Sequence, residues 1–176
     1  HKVYGKDTES FLAASLKKPK IYGRVNTLRT NMDALCSVLA ADGIQITPSN
    51  VLPDAFYFTD SAAFMRTQAF ASGLFHIQDL SSQLCCAALL PAEGQSVLDV
   101  CAAPGGKTFT IAETLANTGS VLSCDIYRHK IDLIQNGADR LGLTNVTAQL
   151  RDAATDETPL PMFDRILCDV PCSGLG

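Results

Sequence analysis

Several features are scarce in this sequence of 176 residues, and each absence excludes a class of protein. The seven cysteines include no Cys-x-x-Cys pair and the three histidines do not cluster with them, which argues against a metal site and a disulfide framework. Apolar runs such as residues 87–90 are too short to span a membrane. No charged and apolar leader opens the chain, so we expect no secretory signal. These absences predict a soluble, cytoplasmic protein with reduced thiols.

Basic residues are too few for the chain as a whole to look like a nucleic-acid binder, since its net charge is −4. Their distribution is uneven, however. Residues 1–32 contain seven Lys or Arg and two acids, a balance of +5, whereas the remainder has a balance of −9. The basic end can follow a phosphate backbone, or Lys17, Lys18 and Lys20 can simply solvate the end of a helix. Composition leaves both interpretations open.

The hydrophobic pattern predicts two units. The first, residues 1–70, is a small α+β unit with a helix over 8–18, a strand over 21–28, a helix over 31–42 capped by Asn31, and a strand near 55–59. The second, residues 71–176, begins with an extended stretch and a helix over 79–90. Strands over 96–100, 120–125, 145–150 and 164–169 then alternate with helices over 107–117 and 128–141. This alternation is typical of a parallel, doubly wound, Rossmann-like α/β sheet.

The segment from Asp99 to Thr108 carries the strongest signal for a ligand. A strand ends there, small residues and two glycines follow, and a helix begins. Ligands of such sheets bind at the carboxyl ends of the strands. A phosphate-binding P-loop would need glycine where Cys101 stands, and the Gly-x-Gly-x-x-Gly pattern of dinucleotide sites is absent. S-adenosylmethionine, which has a ribose but no phosphate, is the third candidate.

Acidic residues follow the later strands. Asp125 closes the second strand, where an acid can bind ribose hydroxyls, although it can also be a helix cap. Asp152 closes the third strand and can accept from an adenine amino group or serve as a turn residue. The fourth strand ends in Asp169, followed by the Pro-Cys pair that contains Cys172. Because small residues follow Cys172, its thiol is expected to be reachable.

Two of these motifs together resemble the Sun family of RNA cytosine-C5 methyltransferases. They are Asp-x-Cys-Ala-Ala-Pro-Gly-Gly-Lys-Thr at 99–108 and Asp-x-Pro-Cys-Ser at 169–173. Residues 73–83 and 24–28 are similar to further segments of that family, so the resemblance covers about residues 20–176. It implies part of a Rossmann-like, S-adenosylmethionine-dependent methyltransferase sheet, preceded by a small α+β RNA-binding unit.

The resemblance also implies a role for each matching residue. Asp125 holds the ribose, Asp152 lies by the adenine, Asp169 faces both cofactor and cytosine, and Cys172 assists product release. The residues that wrap the methionine end of S-adenosyl-L-methionine are Cys101, Ala102, Ala103, Pro104, Gly105, Gly106 and Lys107.

The attacking cysteine of the family belongs to a later Thr-Cys motif, which these 176 residues do not contain. We therefore expect a fragment that does not methylate RNA by itself, with ribosomal RNA of the small subunit as the expected partner. The alternatives are a transfer-RNA cytosine-C5 methyltransferase and a non-catalytic module that binds cofactor or RNA. A P-loop nucleotide hydrolase ranks last because of Cys101.

Overall fold

The N-terminal unit is built on an antiparallel sheet. The computed structural model describes residues 4–16, 19–59 and 63–170. The elements of this unit are helices α1 (Thr8–Ser15), α2 (Met32–Ala41) and α3 (Gln68–Ala71) with strands β1 (Tyr22–Val25), β2 (Ile46–Pro48), β3 (Ala55–Phe58) and β4 (Phe75–Ile77). The strand order is β2-β3-β1-β4, and every pair is antiparallel. Strands and helices from β1 to β4 therefore follow the β-α-β-β-α-β order of ferredoxin-like folds.

Local chemistry explains the elements of this unit. In β3 the alternating side chains of Phe56 and Phe58 enter the core. Helix α2 begins where the Asn31 side chain accepts a hydrogen bond from the backbone N–H of Ala34 at 3.0 Å. The predicted cap and the predicted strand near 55–59 are confirmed.

The C-terminal unit is built on a parallel sheet. Its elements are α4 (Leu80–Leu89), β5 (Ser96–Asp99), α5 (Gly106–Thr114), β6 (Ser120–Asp125), α6 (Arg128–Leu141), β7 (Val146–Leu150) and β8 (Arg165–Leu167). The strand order is β7-β6-β5-β8, and all pairs are parallel. Side chains of the three helices and the strands share one hydrophobic core, which includes Ile111, Ile134 and Val121. The predicted α/β alternation is confirmed, and the chain switches sides of the sheet at β5, which is where such sheets bind ligands.

The pairing of strand β4 shifts the boundary between the two units. Residues 71–77 were expected in the second unit, but Phe75 and Ile77 pair with Val25 and Gly23 of β1. Sheet membership therefore favours a boundary after Ile77, and we propose that position in place of one near residue 70.

Two details differ from the sequence-based expectations. Helix α1 ends at Ser15, before the predicted residue 18, and Leu12 and Leu16, whose spacing of four predicts one apolar face, are 55% and 87% exposed. Asp79, where the sequence predicts α4 to begin, stands at the N-cap position of that helix, but its side chain accepts no capping hydrogen bond from the described residues. Within residues 4–16, 19–59 and 63–170, no helix has the length and apolarity required to cross a membrane.

Polar contacts join the two units. The buried side chain of Asn26 donates from Nδ2 to the backbone oxygens of Gly73 and Leu141, each at 2.8 Å. Arg140 of α6 donates to the backbone oxygen of Phe70 at 2.7 Å, and its guanidinium group lies over the aromatic ring of Phe70. Because buried polar groups must be paired, these contacts fix the N-terminal unit against the parallel sheet.

Candidate functional site

A cleft of about 540 Å³ lies at the carboxyl ends of the parallel strands. The loop between β5 and α5 forms one wall and contributes every residue from 101 to 107 except Gly105. Ile77, Gln78 and Ser82, from β4 to α4, line another part of the wall. The cleft is therefore composite, because β4 belongs to the N-terminal sheet.

Small residues let the loop after β5 turn tightly. Ala102 donates from its backbone N–H to the oxygen of Cys124 at 2.8 Å, and Gly105 donates to the oxygen of Ala102 at 2.8 Å. Gly105 has a φ of +111°, and a Cβ there would overlap the ring of Phe109. Glycine is thus required at this position by both conformation and space. Gly105 shapes the loop but does not itself line the cleft.

Asp99 is a buried acid at the end of β5. Its Oδ2 accepts a hydrogen bond from the Thr108 hydroxyl at 2.8 Å, and that hydroxyl also lies 2.9 Å from the hydroxyl of Ser123. Burial raises the pKa of Asp99 to about 6, although the Thr108 hydroxyl acts in the opposite direction. No role of its own was predicted for Asp99 from the sequence, although its position at the end of a buried strand could have identified it.

Asp125 ends β6 and is 1% exposed. Its Oδ1 accepts from the backbone N–H of Tyr127 at 3.2 Å and lies 3.6 Å from Nζ of Lys130, which lines the cleft. Its Oδ2 has no hydrogen-bond partner among the described residues. Since Tyr127 holds the N-cap position of α6, Asp125 is not the cap. A buried, unpaired carboxylate oxygen suits a hydroxyl donor such as a ribose, and the ribose role stays a prediction.

Lys107 and Asp169 face each other in the cleft. Nζ of Lys107 lies 2.6 Å from Oδ2 of Asp169 and donates to the Ser82 hydroxyl at 3.1 Å. Burial alone lowers the pKa of Lys107, but the hydrogen bond and charge of Asp169 outweigh it, and the pKa is raised. Lys107 therefore stays charged and Asp169 accepts from it.

The other expected site residues differ in their surroundings. Asp152 does not line the cleft. Its carboxylate accepts from the backbone N–H of Ala154 at 2.9 Å and the Thr155 hydroxyl at 2.8 Å, and these hydrogen bonds lower its pKa. This geometry is that of a turn residue, and contact with adenine stays a prediction.

Cys101 lines the cleft, where burial and then the charge of Asp125 raise the pKa of its thiol. Cys172 lies outside the described residues.

Four residues that were not predicted as site residues also line the cleft: Gln78, Asp79, Ser82 and Lys130. The first three lie in the segment 73–83 that carried part of the family resemblance, so that segment was the available signal. Lys130 lacked any motif, and its proximity to Asp125 emerges only from the fold.

Comparisons with known families match both parts of the chain. Residues 86–176 match the model of the 16S rRNA methyltransferase RsmB/F family, and residues 1–64 match an RsmF/B-like, ferredoxin-like domain. A probable ribosomal RNA small subunit methyltransferase B of Bacillus subtilis is 42% identical over 170 residues, which are 96% of this chain and 38% of that protein. A 28S rRNA (cytosine-C(5))-methyltransferase of Mus musculus is 33% identical over 94% of this chain and 21% of its own length.

Solved structures give the same fold. A methyltransferase homolog from Pyrococcus horikoshii superposes with a TM-score of 0.78 and 29% identity over 85% of this chain and 50% of that one. NSun6 from Pyrococcus horikoshii, solved with SFG, has a TM-score of 0.87 at 21% identity, over 97% of this chain and 68% of that one. The chain spans about two fifths of the length of the bacterial curated relatives that it matches.

Proposed function

Because the chain belongs to the 16S rRNA methyltransferase RsmB/F family, we propose that it forms part of an enzyme that methylates C5 of cytosine in small-subunit ribosomal RNA, with S-adenosylmethionine as methyl donor. The resemblance to the RNA cytosine-C5 methyltransferases is confirmed by the family match and by the cytosine-C5 enzyme among the relatives. The proposal includes a cytoplasmic location.

One observation carries the proposal: a composite cleft at the switch point of a parallel sheet, flanked by the buried acid Asp125, one oxygen of which has no partner in residues 4–16, 19–59 and 63–170. The residues present fit the cofactor. Oδ2 of Asp125 can accept from a ribose hydroxyl, and the small residues from Cys101 to Gly106 let a ligand approach the backbone closely.

The described residues support specific steps of the reaction. The bound cofactor supplies a methyl group on a positively charged sulfur. Asp169 accepts from Lys107 in this structure, so we assign it the role of acceptor for the amino group of cytosine. Lys107 holds Asp169 in place and adds positive charge where electron density builds in the ring. The target base must leave its stack to reach this cleft.

In this proposal, attack on cytosine and release of the product belong to two different cysteines. A thiolate that adds to C6 of cytosine makes C5 able to take the methyl group, and none of the seven cysteines follows a threonine as the family's attacking residue does. Cys172 is assigned to product release. We expect these 176 residues to bind cofactor without transferring its methyl group. Tritium transfer from labelled S-adenosylmethionine to ribosomal RNA by this chain would overturn the role assigned to Cys172.

Ligand binding tests the proposal directly. Calorimetry with S-adenosylhomocysteine and with ATP-magnesium should show binding of the first and not of the second. A preference for ATP-magnesium would contradict the assignment and favour a nucleotide hydrolase. Competition between small-subunit ribosomal RNA and transfer RNA then decides the class of RNA, and stronger binding of transfer RNA would contradict the ribosomal assignment.

A further inference from the structure

A buried charged cluster lies where the N-terminal sheet meets helix α5. Glu113 of α5 has a fully buried side chain, and its Oε2 lies 3.3 Å from Nε of Arg24 in β1. Its Oε1 lies 3.3 Å from Nδ1 of His76 in β4, and neither of these two atoms has a hydrogen bond within the described part of the chain. Breaking a buried ionic cluster is costly, whereas apolar residues of similar size can replace one without loss of stability. The presence of this cluster beside the cleft therefore calls for a role besides stability.

Hydrogen bonds connect His76 to the cleft through Thr110 and Gln78. The Thr110 hydroxyl lies 2.6 Å from Oε1 of Gln78 and 3.3 Å from Nε2 of His76. A carbonyl oxygen cannot donate, so the single hydroxyl proton points to Gln78. The hydroxyl must then accept from Nε2–H of His76. Nδ1 lies 3.3 Å from Oε1 of Glu113, and this contact is attractive when Nδ1 also carries a hydrogen, in which case it holds the orientation of the imidazole ring.

Gln78 is the last member of this chain of contacts, and it lines the cleft. Its side chain lies against Gly106, the first residue of α5, in ordinary van der Waals range of a Cβ built there. The carbonyl oxygen is held by Thr110, and Nε2 of the amide lies 3.8 Å from that Cβ position. Nε2 has a weak acceptor in Sγ of Cys86 at 3.9 Å, so a second N–H is free to serve a ligand.

We propose that Thr110, oriented by His76 and Glu113, is a positioning residue that turns the Gln78 amide so that its NH₂ group donates to the carboxylate of the cofactor's amino-acid portion. This inference rests on the proposed function, since it names a contact within the same cleft. The adjoining N-terminus of α5 favours a negatively charged ligand group at that end of the cleft. Because Arg24 and His76 come from the N-terminal sheet, that unit takes part in cofactor binding.

A pair of ligands tests the inference in the whole chain. S-adenosylhomocysteine carries the amino-acid portion, whereas 5′-methylthioadenosine lacks it and keeps the ribose and adenine. Thr110→Val removes the hydroxyl and should weaken S-adenosylhomocysteine binding about tenfold, while leaving the affinity for methylthioadenosine unchanged. Thr110→Ser restores the hydroxyl and should restore the affinity. The matched control is Thr114→Val on the same helix, whose hydroxyl only bonds back to the oxygen of Thr110 at 2.8 Å.

The results separate this inference from the proposed function. Equal loss of affinity for both ligands, or no loss for S-adenosylhomocysteine, would overturn the positioning role. If the unaltered chain binds neither ligand, the proposed function and this inference both fail. Urea unfolding of each variant shows whether it is folded. Should Thr110→Val prove unfolded, Gln78→Glu replaces the NH₂ group by oxygen and should again weaken only S-adenosylhomocysteine, and equal binding of both ligands by that variant would contradict the inference.

Discussion

At the residue scale, Asp99 and Asp125 close neighbouring strands of the parallel sheet in different surroundings. Each of the two acids keeps one buried carboxylate oxygen without a partner among the described residues. The other oxygen of Asp99 accepts from the Thr108 hydroxyl inside the protein, whereas that of Asp125 lies 3.6 Å from Nζ of Lys130, which lines the cleft. An oxygen that the protein has desolvated and left unpaired gains most from a ligand hydroxyl. Because Asp125 is the acid next to a cleft-lining residue, we assign the ligand contact to Asp125 and an internal role to Asp99.

Asp125→Asn should weaken binding of S-adenosylhomocysteine by about 1.5–3 kcal/mol, since a charged acceptor of a ribose hydroxyl becomes neutral. Calorimetry measures the effect. Glu93→Gln, which neutralises an exposed acid, is the matched control. Equal affinities of the two variants would count against the ribose contact.

The pH dependence of stability tests the environment of Asp99. Its pKa is raised from 3.8 to about 6 in the folded chain, so the folded state holds the proton more tightly than the unfolded state. The resulting stabilisation is complete below pH 3.8 and is lost as the pH rises through about 6.

Asp99→Asn removes this titration. The free energy of unfolding of the unaltered chain, relative to this variant, should fall by about 3 kcal/mol between pH 3.5 and pH 7. Urea unfolding at a series of pH values provides the measurement, and other acids cancel in the difference. A difference that does not change with pH would show that Asp99 has an ordinary pKa.

At the element scale, Phe109 joins the loop after β5 to helix α6. Its ring is 6% exposed and lies against both Gly105 of the loop and Gly137 of α6. A Cβ at either glycine would overlap the ring. The two glycines thus allow α5 and α6 to approach closely, and this packing holds the cofactor loop in its conformation.

Gly137→Ala should have two opposite effects on the free energy of unfolding. Helix propensity alone predicts a gain of about 1 kcal/mol, while overpacking against a buried ring costs about 1–3 kcal/mol. Because Gly105 blocks the ring on its other side, we expect overpacking to dominate and the free energy of unfolding to fall. Asn136→Ala, an exposed neighbour in the same helix, should instead be neutral or slightly stabilising. A gain in stability at Gly137 would show that the ring can move aside.

At the scale of the whole molecule, the N-terminal unit brings basic charge close to the cleft. Lys20 lies over the ring of Tyr57 with 3.6 Å between Nζ and the ring centroid, and the ring of Tyr22 packs against Tyr57. The backbone oxygen of Tyr22 accepts from Gln78, which lines the cleft. An RNA strand whose cytosine enters the cleft would therefore pass near this basic, aromatic surface.

Replacement of Lys17, Lys18 and Lys20 by alanine should weaken RNA binding and lower its salt dependence. Each lost phosphate contact reduces the slope of log K against log salt by about 0.7 on a single strand, so the total reduction is up to about 2. Fluorescence titrations at several salt concentrations give the slope. Replacing three exposed arginines elsewhere, Arg66, Arg128 and Arg165, is the control. An unchanged slope for the lysine variant would favour a merely solvated helix end.

The sequence by itself determined the loop that lines the cleft and the type and order of the secondary elements, except for the short β2 and α3. Its apolar periodicity and its caps act locally, as at Asn31, and the motif from Asp99 to Thr108 is continuous in the chain. Only the tertiary structure decided that β4 joins the N-terminal sheet, that Gln78 and Lys130 line the cleft, and that Asp152 forms its own turn. The physical reason is that strand pairing, burial and hydrogen bonding depend on partners far apart in sequence, which local patterns do not specify.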